Sequence, residues 1–306
     1  MNPYETGIHN NRGTYPLCSG SIQTHRTSAS VHAHLSPFQV PMLKQHLPTL
    51  WYFLVASAAF PGVIADEPGP DYGVTATFSI VAVDPGTGVC GAAVASRYPK
   101  VGKVVPYVRP GVGAFCTQHW TNPPWGEKAL DLLEEGHGSE EVLGLLLKDD
   151  ERRDKRQLAI IDMQGRAANR NPARTDPSGI YWGAMSGRFY ACQGNTLTGR
   201  KVVIAMAQAY EETEGSLTDR LMAALVAADC AGGDHRGRLA AGIRVAKSGH
   251  EGHWFELYVD ESDHAVIDLL NKYVETNHPA KGSWKHGRLP FRHPCPNATE
   301  SEDYLR

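Results

Sequence analysis

GVTATFSIVAVD, residues 73–84, carries Phe78, Ile80, Val81, Ala82 and Val83 as a nearly continuous apolar run. Asp84, Pro85 and Gly86 then end it with turn chemistry, which is the pattern of a buried β-strand. Thr77 stands at the head of the run, behind Ala76. A threonine at the very start of a mature chain can act as a nucleophile with its own α-amine as base. Inside a chain it is a β-branched residue that suits a strand. The residues alone leave both roles open.

Outward from this strand, the turn DPGTG leads to a second strand over 89–96, so the two form a hairpin. Strand candidates at 101–108 and 112–118, joined at a Pro-Gly pair, complete an expected four-stranded antiparallel opening. Helices come next. Asn122 is placed to cap one, with Pro123 at its first position, Trp125, Ala129, Leu132 and Leu133 on one face and Gly136 at its end. Ser139 is placed to cap another, with Glu140 and Glu141 in its first turn and Leu143, Leu146 and Leu147 inward. Strands over 157–163 and 189–193 precede two helices, 200–212 and 217–229, the second opened by a Ser216/Asp219 capping box. Strands over 239–245 and 254–259 and a helix over 263–274 follow. Strands and helices alternate in blocks rather than singly. That disfavours parallel βαβ units and favours an α+β chain, a four-layer αββα sandwich of antiparallel sheets covered by helix pairs.

A net charge of −3 with no run of Lys and Arg argues against nucleic acid as the main partner and against a basic membrane surface. The six cysteines are widely spaced without a CxxC pair, and the histidines show no HExxH spacing, so neither a metal nor another cofactor is expected. Residues 1–41 are rich in Ser, Thr, His and Pro without apolar periodicity, and read as a leader lacking a fold or as a misplaced start. From Met42 the grammar changes: Lys44, an apolar run over 50–60, then Val63 and Ala65 as small residues before a cleavage point. That is a secretory signal peptide over 42–65, followed by a linker over 66–75 and a domain over 76–275. The product would be secreted or periplasmic and would meet a membrane only in transit. Residues 276–306, with scattered Pro, His and charge, read as a tail without a fold.

TFSIVAVDPGTGVCGAAVASR, VGKVVPYVRPGVGAFCTQHWTNPPWG, CQGN and AGGDHRGR resemble, in order and spacing, the family called domain of unknown function 1028. The resemblance covers residues 76–274 and implies the fold of the N-terminal nucleophile (Ntn) hydrolases, whose αββα sandwich agrees with the block order above. It also implies Thr77 as the nucleophile candidate, provided that the chain before it is removed. Val74 and Ala76 satisfy the small-residue rule for cleavage directly before Thr77.

Around Thr77 the hairpin register brings Ser96 and Arg97, the latter able to hold a substrate carboxylate or to favour an ionised nucleophile. Gln118, His119 and Asn122 follow the fourth strand candidate, and Gln193 and Asn195 lie in CQGN at another strand end. Amides at neighbouring strand ends can donate to a developing oxyanion, and they also make ordinary turns and caps. In the Gly-rich loop AGGDHRGR, Asp234 can orient the Thr77 amine and Arg236 can bind substrate, or the two can pair with each other. Cys116 lacks an orienting third residue and is disfavoured as a nucleophile. The expected catalytic group is therefore Thr77, Arg97, Gln118, Asn195 and Asp234, with Ser96, Asn122, Gln193 and Arg236 on the substrate. The reading is an exported hydrolase of amide bonds in a small-molecule or peptide substrate, with self-association into a homo-oligomer left open. Its rival is a non-catalytic exported binding protein on the same fold, with cell-wall peptides as a conceivable ligand.

Overall fold

The apolar run does form a strand, and Thr77 heads it. The computed structural model describes residues 77–172 and 180–282 and the backbone of residues 74–75. All of them belong to the second of two units, Ile64–Arg306. The expected leader over 1–41, the signal peptide over 42–65, most of the linker over 66–75 and the tail beyond 282 lie outside the described residues. Val74–Thr75 is β1 and Thr77–Asp84 is β2, and they belong to different sheets. The chain changes sheet on reaching Thr77.

β2 pairs antiparallel with β3, Val89–Ser96, and Thr77 stands opposite Ser96 as the hairpin requires. The four-stranded opening is not formed. Residues 101–104 are the short helix α1, Val101–Val104, and only β4, Pro106–Arg109, and β5, Gly113–Trp120, are extended. The helical turn places Val101 and Val105 in the core. Gly102 allows it, since a Cβ there would lie 2.9 Å from the Gly242 backbone. β4 and β5 pair with each other in the other sheet.

The remaining elements are α2 (Pro124–Glu134), α3 (Ser139–Leu147), β6 (Arg156–Asp162), β7 (Ala167–Arg170), β8 (Tyr181–Gly187), β9 (Tyr190–Leu197), α4 (Lys201–Glu212), α5 (Leu217–Cys230), β10 (Ala240–Lys247), β11 (Phe255–Val259) and α6 (Ala265–Glu275). β7 and β8 were not expected from the sequence. One sheet runs β1-β5-β6-β7 with β4 beside β5, the other β11-β10-β3-β2-β9-β8, and every pairing is antiparallel. The described residues thus form an α+β unit of two antiparallel sheets and six helices.

Three apolar clusters hold these parts together. Val81, Val83, Ala92 and Val94 of one sheet meet Ala114, Cys116, Ala159 and Ile161 of the other. On its second face the six-stranded sheet packs Phe78, Ile80 and Ile243 against α4, α5 and α6. Phe115, Leu158 and Ile160 of the other sheet pack against α2 and α3. Burying each Val, Ile, Leu or Phe among them is worth about 1.5–3 kcal/mol, and the strands alternate so that both faces gain it.

Two caps differ from expectation. Asn122 and Ser139 cap nothing with their side chains. Pro123 and Pro124 lack N–H groups, so the first orphan donors are those of Trp125 and Gly126, which the carbonyls of Asn122 and Pro123 accept. Ser139 is the first helical residue and donates its hydroxyl to the Arg166 carbonyl at 2.6 Å. The Ser216/Asp219 capping box is formed. The Asp219 carboxylate also accepts from the Tyr273 hydroxyl at 2.5 Å and from the Gly282 amide at 3.0 Å. Residues 276–282 are therefore not a loose tail, with Ala280 buried and the His278 ring beside Phe255.

Candidate functional site

At the Thr77 end, the layer between the sheets stops being apolar. Successive side chains of a strand alternate in direction, so Thr77 and Ser79 of β2 share a face, as do Gln193 and Asn195 of β9. Ser79 stands opposite Gln193 in register, and the pairing that puts Phe78 opposite Gly194 carries Thr77 toward Asn195. Gln118 of β5 stands opposite Gln157 of β6 in the facing sheet. All of these side chains, with Ser96, are fully buried.

Their hydrogen bonds form one network. Thr77 Oγ1 donates to Ser96 Oγ at 3.2 Å. Gln118 Nε2 donates to the Thr77 carbonyl at 3.1 Å and to Gln157 Oε1 at 2.7 Å, while its own Oε1 accepts from Ser79 Oγ at 2.6 Å. Asn195 Nδ2 donates to the same Gln157 Oε1 at 2.8 Å. Gln157 Nε2 donates to the Gly194 carbonyl at 2.9 Å and to Asn171 Oδ1 at 2.8 Å. Gln157 therefore spends its whole bonding capacity tying the two sheets together. Asn195 Oδ1 and Gln193 Oε1 are buried and accept nothing among the described residues, which costs on the order of 1–3 kcal/mol each.

Strained backbone borders the network. His119 (φ 67°) and Thr196 (φ 51°) sit in the left-handed region next to Gln118 and Asn195. For a β-branched threonine this is a true outlier, and such strain concentrates at working sites. Thr196 Oγ1 donates to the preceding carbonyl, that of Asn195, at 2.7 Å. The His119 ring meets Trp182 edge-on at 4.4 Å. Burial, helped by the cations Lys155, Arg156 and Arg236, pushes its pKa down to about 4, so it is neutral at neutral pH. Arg156 is committed: it pairs with Asp150 at 2.8 Å and donates to the carbonyls of Trp120 and Thr121.

The structure thus brings together Thr77, Ser96, Gln118, Gln193 and Asn195, and places the other expected residues elsewhere. Arg97 forms an exposed ion pair with Asp263 at 3.3 Å. Asn122 ends the turn into α2, its backbone N–H donating to Thr117 Oγ1. Asp234 is buried and spends its carboxylate on its own loop, accepting from the Arg236 amide at 3.0 Å and guanidinium at 3.4 Å. That loop still adjoins the site, because Asp234 bridges to Leu197 at the end of β9. Cys116 is buried, and desolvation pushes its thiol up to about 12, the wrong direction for a nucleophile. Sequence reasoning missed Ser79, Asn171 and above all Gln157. The available signal was a glutamine at the head of an otherwise apolar strand.

A model of the family of unknown function (DUF1028) matches residues 77–269. The chain belongs to this family. The match begins at Thr77 and takes in the whole network. No curated protein matches the chain. Among solved structures, the family member is similar to the crystal structure of protein SPO2555 from Silicibacter pomeroyi, described with the same family model. The two are 29% identical with a TM-score of 0.59, over 66% of this chain and 88% of that one.

Proposed function

We propose that this family member is an exported amide hydrolase of Ntn type, its layers forming the αββα sandwich, with Thr77 as nucleophile once the chain is cut after Ala76. One observation carries the reading. Thr77 heads β2 where the chain changes sheet, and its carbonyl is held by Gln118 from the facing sheet at 3.1 Å. A residue in that position can lose its predecessors and keep its place.

The freed α-amine, with an ordinary pKa of about 7.7–8.0, takes the Thr77 hydroxyl proton as Oγ1 adds to the substrate carbonyl carbon. The unspent N–H of Asn195 faces the developing oxyanion. The C–N bond breaks, the amine returns its proton to the leaving nitrogen, and water then cleaves the ester to release the acid and restore the hydroxyl. Gln118 has no N–H left for the oxyanion, and acts by positioning Thr77.

Export is supported by the secretory-signal pattern of residues 42–65. The binding-protein reading is favoured by one observation, the pairing of β1 with β5 beside the site, since a chain that keeps β1 has no free amine at Thr77. N-terminal sequencing of the exported protein, with release of amine from a panel of small amides and peptides, separates the two. The hydrolase reading expects a start at Thr77, activity lost in Thr77→Ala and partly kept in Thr77→Ser. Turnover by a chain that retains residues before Thr77 would overturn it, and no turnover by such a chain would favour binding.

A further inference from the structure

Two amide carbonyls are left over inside the seam, and their orientation is not arbitrary. Gln157 donates to the Gly194 backbone carbonyl, so its Oε1 must be the end that meets Gln118 and Asn195. Both of those therefore turn their NH2 groups toward Gln157, and Gln118 is fixed a second time by the Thr77 carbonyl. Ser79 gives its only proton to Gln118, so Gln193 must turn its NH2 toward Ser79, at 3.5 Å. What remains on Asn195 and on Gln193 is one unused N–H and one unpartnered carbonyl oxygen.

An acceptor beside a donor is the complement of another carboxamide. We propose that this end of the seam binds a primary carboxamide, read edge-on by Asn195, with Gln193 Oε1 taking the second N–H. Its neighbours Thr77, Ser79, Ser96, Gln118 and Gln157 are neutral, and the charges acting on His119 beside it are cations, which disfavours an ammonium. A carboxylate would offer no proton to either oxygen. The reaction, though not the binding, rests on the reading of Thr77 as nucleophile. Oγ1 adds to the carboxamide carbon, the C–N bond breaks, ammonia leaves with the hydroxyl proton, and water converts the ester to a carboxylic acid.

The test is a titration of the ¹⁵N-labelled full chain with propionamide, N,N-dimethylpropionamide, propionate and propylammonium, read at the side-chain amide signals of Asn195 and Gln193. Asn195→Leu and Gln193→Leu assign those signals. Saturable shifts are expected with propionamide, with affinity lower by roughly tenfold or more for the dimethyl compound and in Asn195→Leu. Equal binding of the dimethyl compound or of propylammonium, or no saturable shift with propionamide, overturns the proposal. Should a leucine variant not fold, the four probes on the unaltered chain decide alone. Ammonia release is measured in parallel on protein whose chain begins at Thr77: binding without release there counts against Thr77 and leaves the subsite standing, whereas release without shifts at these amides sinks the subsite.

Discussion

Gln157→Leu should be among the most damaging single changes available in this unit. Leucine fills a similar volume but removes four hydrogen bonds at 2.7, 2.8, 2.8 and 2.9 Å. Asn171 is only half-buried and can turn to water, but Gln118 and Asn195 are fully buried and Gly194 has its carbonyl in the seam. Two or three groups orphaned at about 1–3 kcal/mol each give a loss of roughly 2–9 kcal/mol, against a total stability on the order of 5–15.

Gln157→Glu probes the same geometry with a sign that depends on pH. The glutamate keeps both acceptors for Gln118 and Asn195, but when ionised it sets an oxygen against the Gly194 carbonyl, and burial also opposes its charge. Its folded pKa is therefore raised. Below the unfolded value of about 4.3 it is protonated in both states and donates to Gly194, so the penalty is smallest there. As pH rises the folded state holds the proton that the unfolded chain has lost, and stability falls by up to about 1.4 kcal/mol per unit until the folded pKa is passed. Urea unfolding of wild type and both variants between pH 4 and 8 checks this. A cost below about 1 kcal/mol for the leucine, or a glutamate penalty that does not change with pH, would refute the reasoning.

His119 supplies a second pH dependence of opposite sign. Its pKa is about 4 in the fold against 6.5, so the unfolded chain takes up the proton first. Its contribution of at most about 3 kcal/mol is present above pH 6.5 and lost as pH falls toward 4. His119→Asn, which accepts the left-handed backbone, should remove that slope in urea titrations, and an unchanged slope would count against it. For Arg97 and Asp263, both well exposed, a double-mutant cycle should give a coupling of about 0–1 kcal/mol in unfolding free energy. A value above about 2 would mean that this pair does more than decorate the surface.

The hairpin from Thr77 to Ser96, the helices α4 to α6 and the capping box at Ser216 were legible because each is local. Periodicity, turn residues and caps lie within a few positions of one another. The misreadings have the same cause seen from the other side. Residues 101–104 carry β-branched side chains, and only the distant strand that places Gly242 against Gly102 makes a helix there worthwhile. Asn122 and Ser139 have the chemistry of caps, but a proline pair and a distant carbonyl claim their surroundings first. Arg97 follows Ser96 closely enough to suggest the site, yet Asp263 from beyond β11 takes its guanidinium.

The site itself was half legible, and of the missed residues Ser79, Asn171 and Gln157 the last matters most. Thr77, Ser96, Gln118, Gln193 and Asn195 can each be placed near a strand end from sequence. Nothing local says that β6 lies beside β5 with Gln157 opposite Gln118, because that register is a property of the finished sheet. Once it is known, the rest follows by counting protons. The Gly194 carbonyl orients Gln157, Gln157 orients Gln118 and Asn195, Gln118 orients Ser79, and Ser79 orients Gln193. The chain of obligations starts on a backbone carbonyl of one sheet, passes through a glutamine of the other, and returns to the carbonyl of Thr77. Such a circuit can close only where the sheets face each other across side chains long enough to reach. The chain also crosses from one sheet to the other here, between β1 and β2, and that is why Thr77 stands in a seam whose surroundings are polar and fixed.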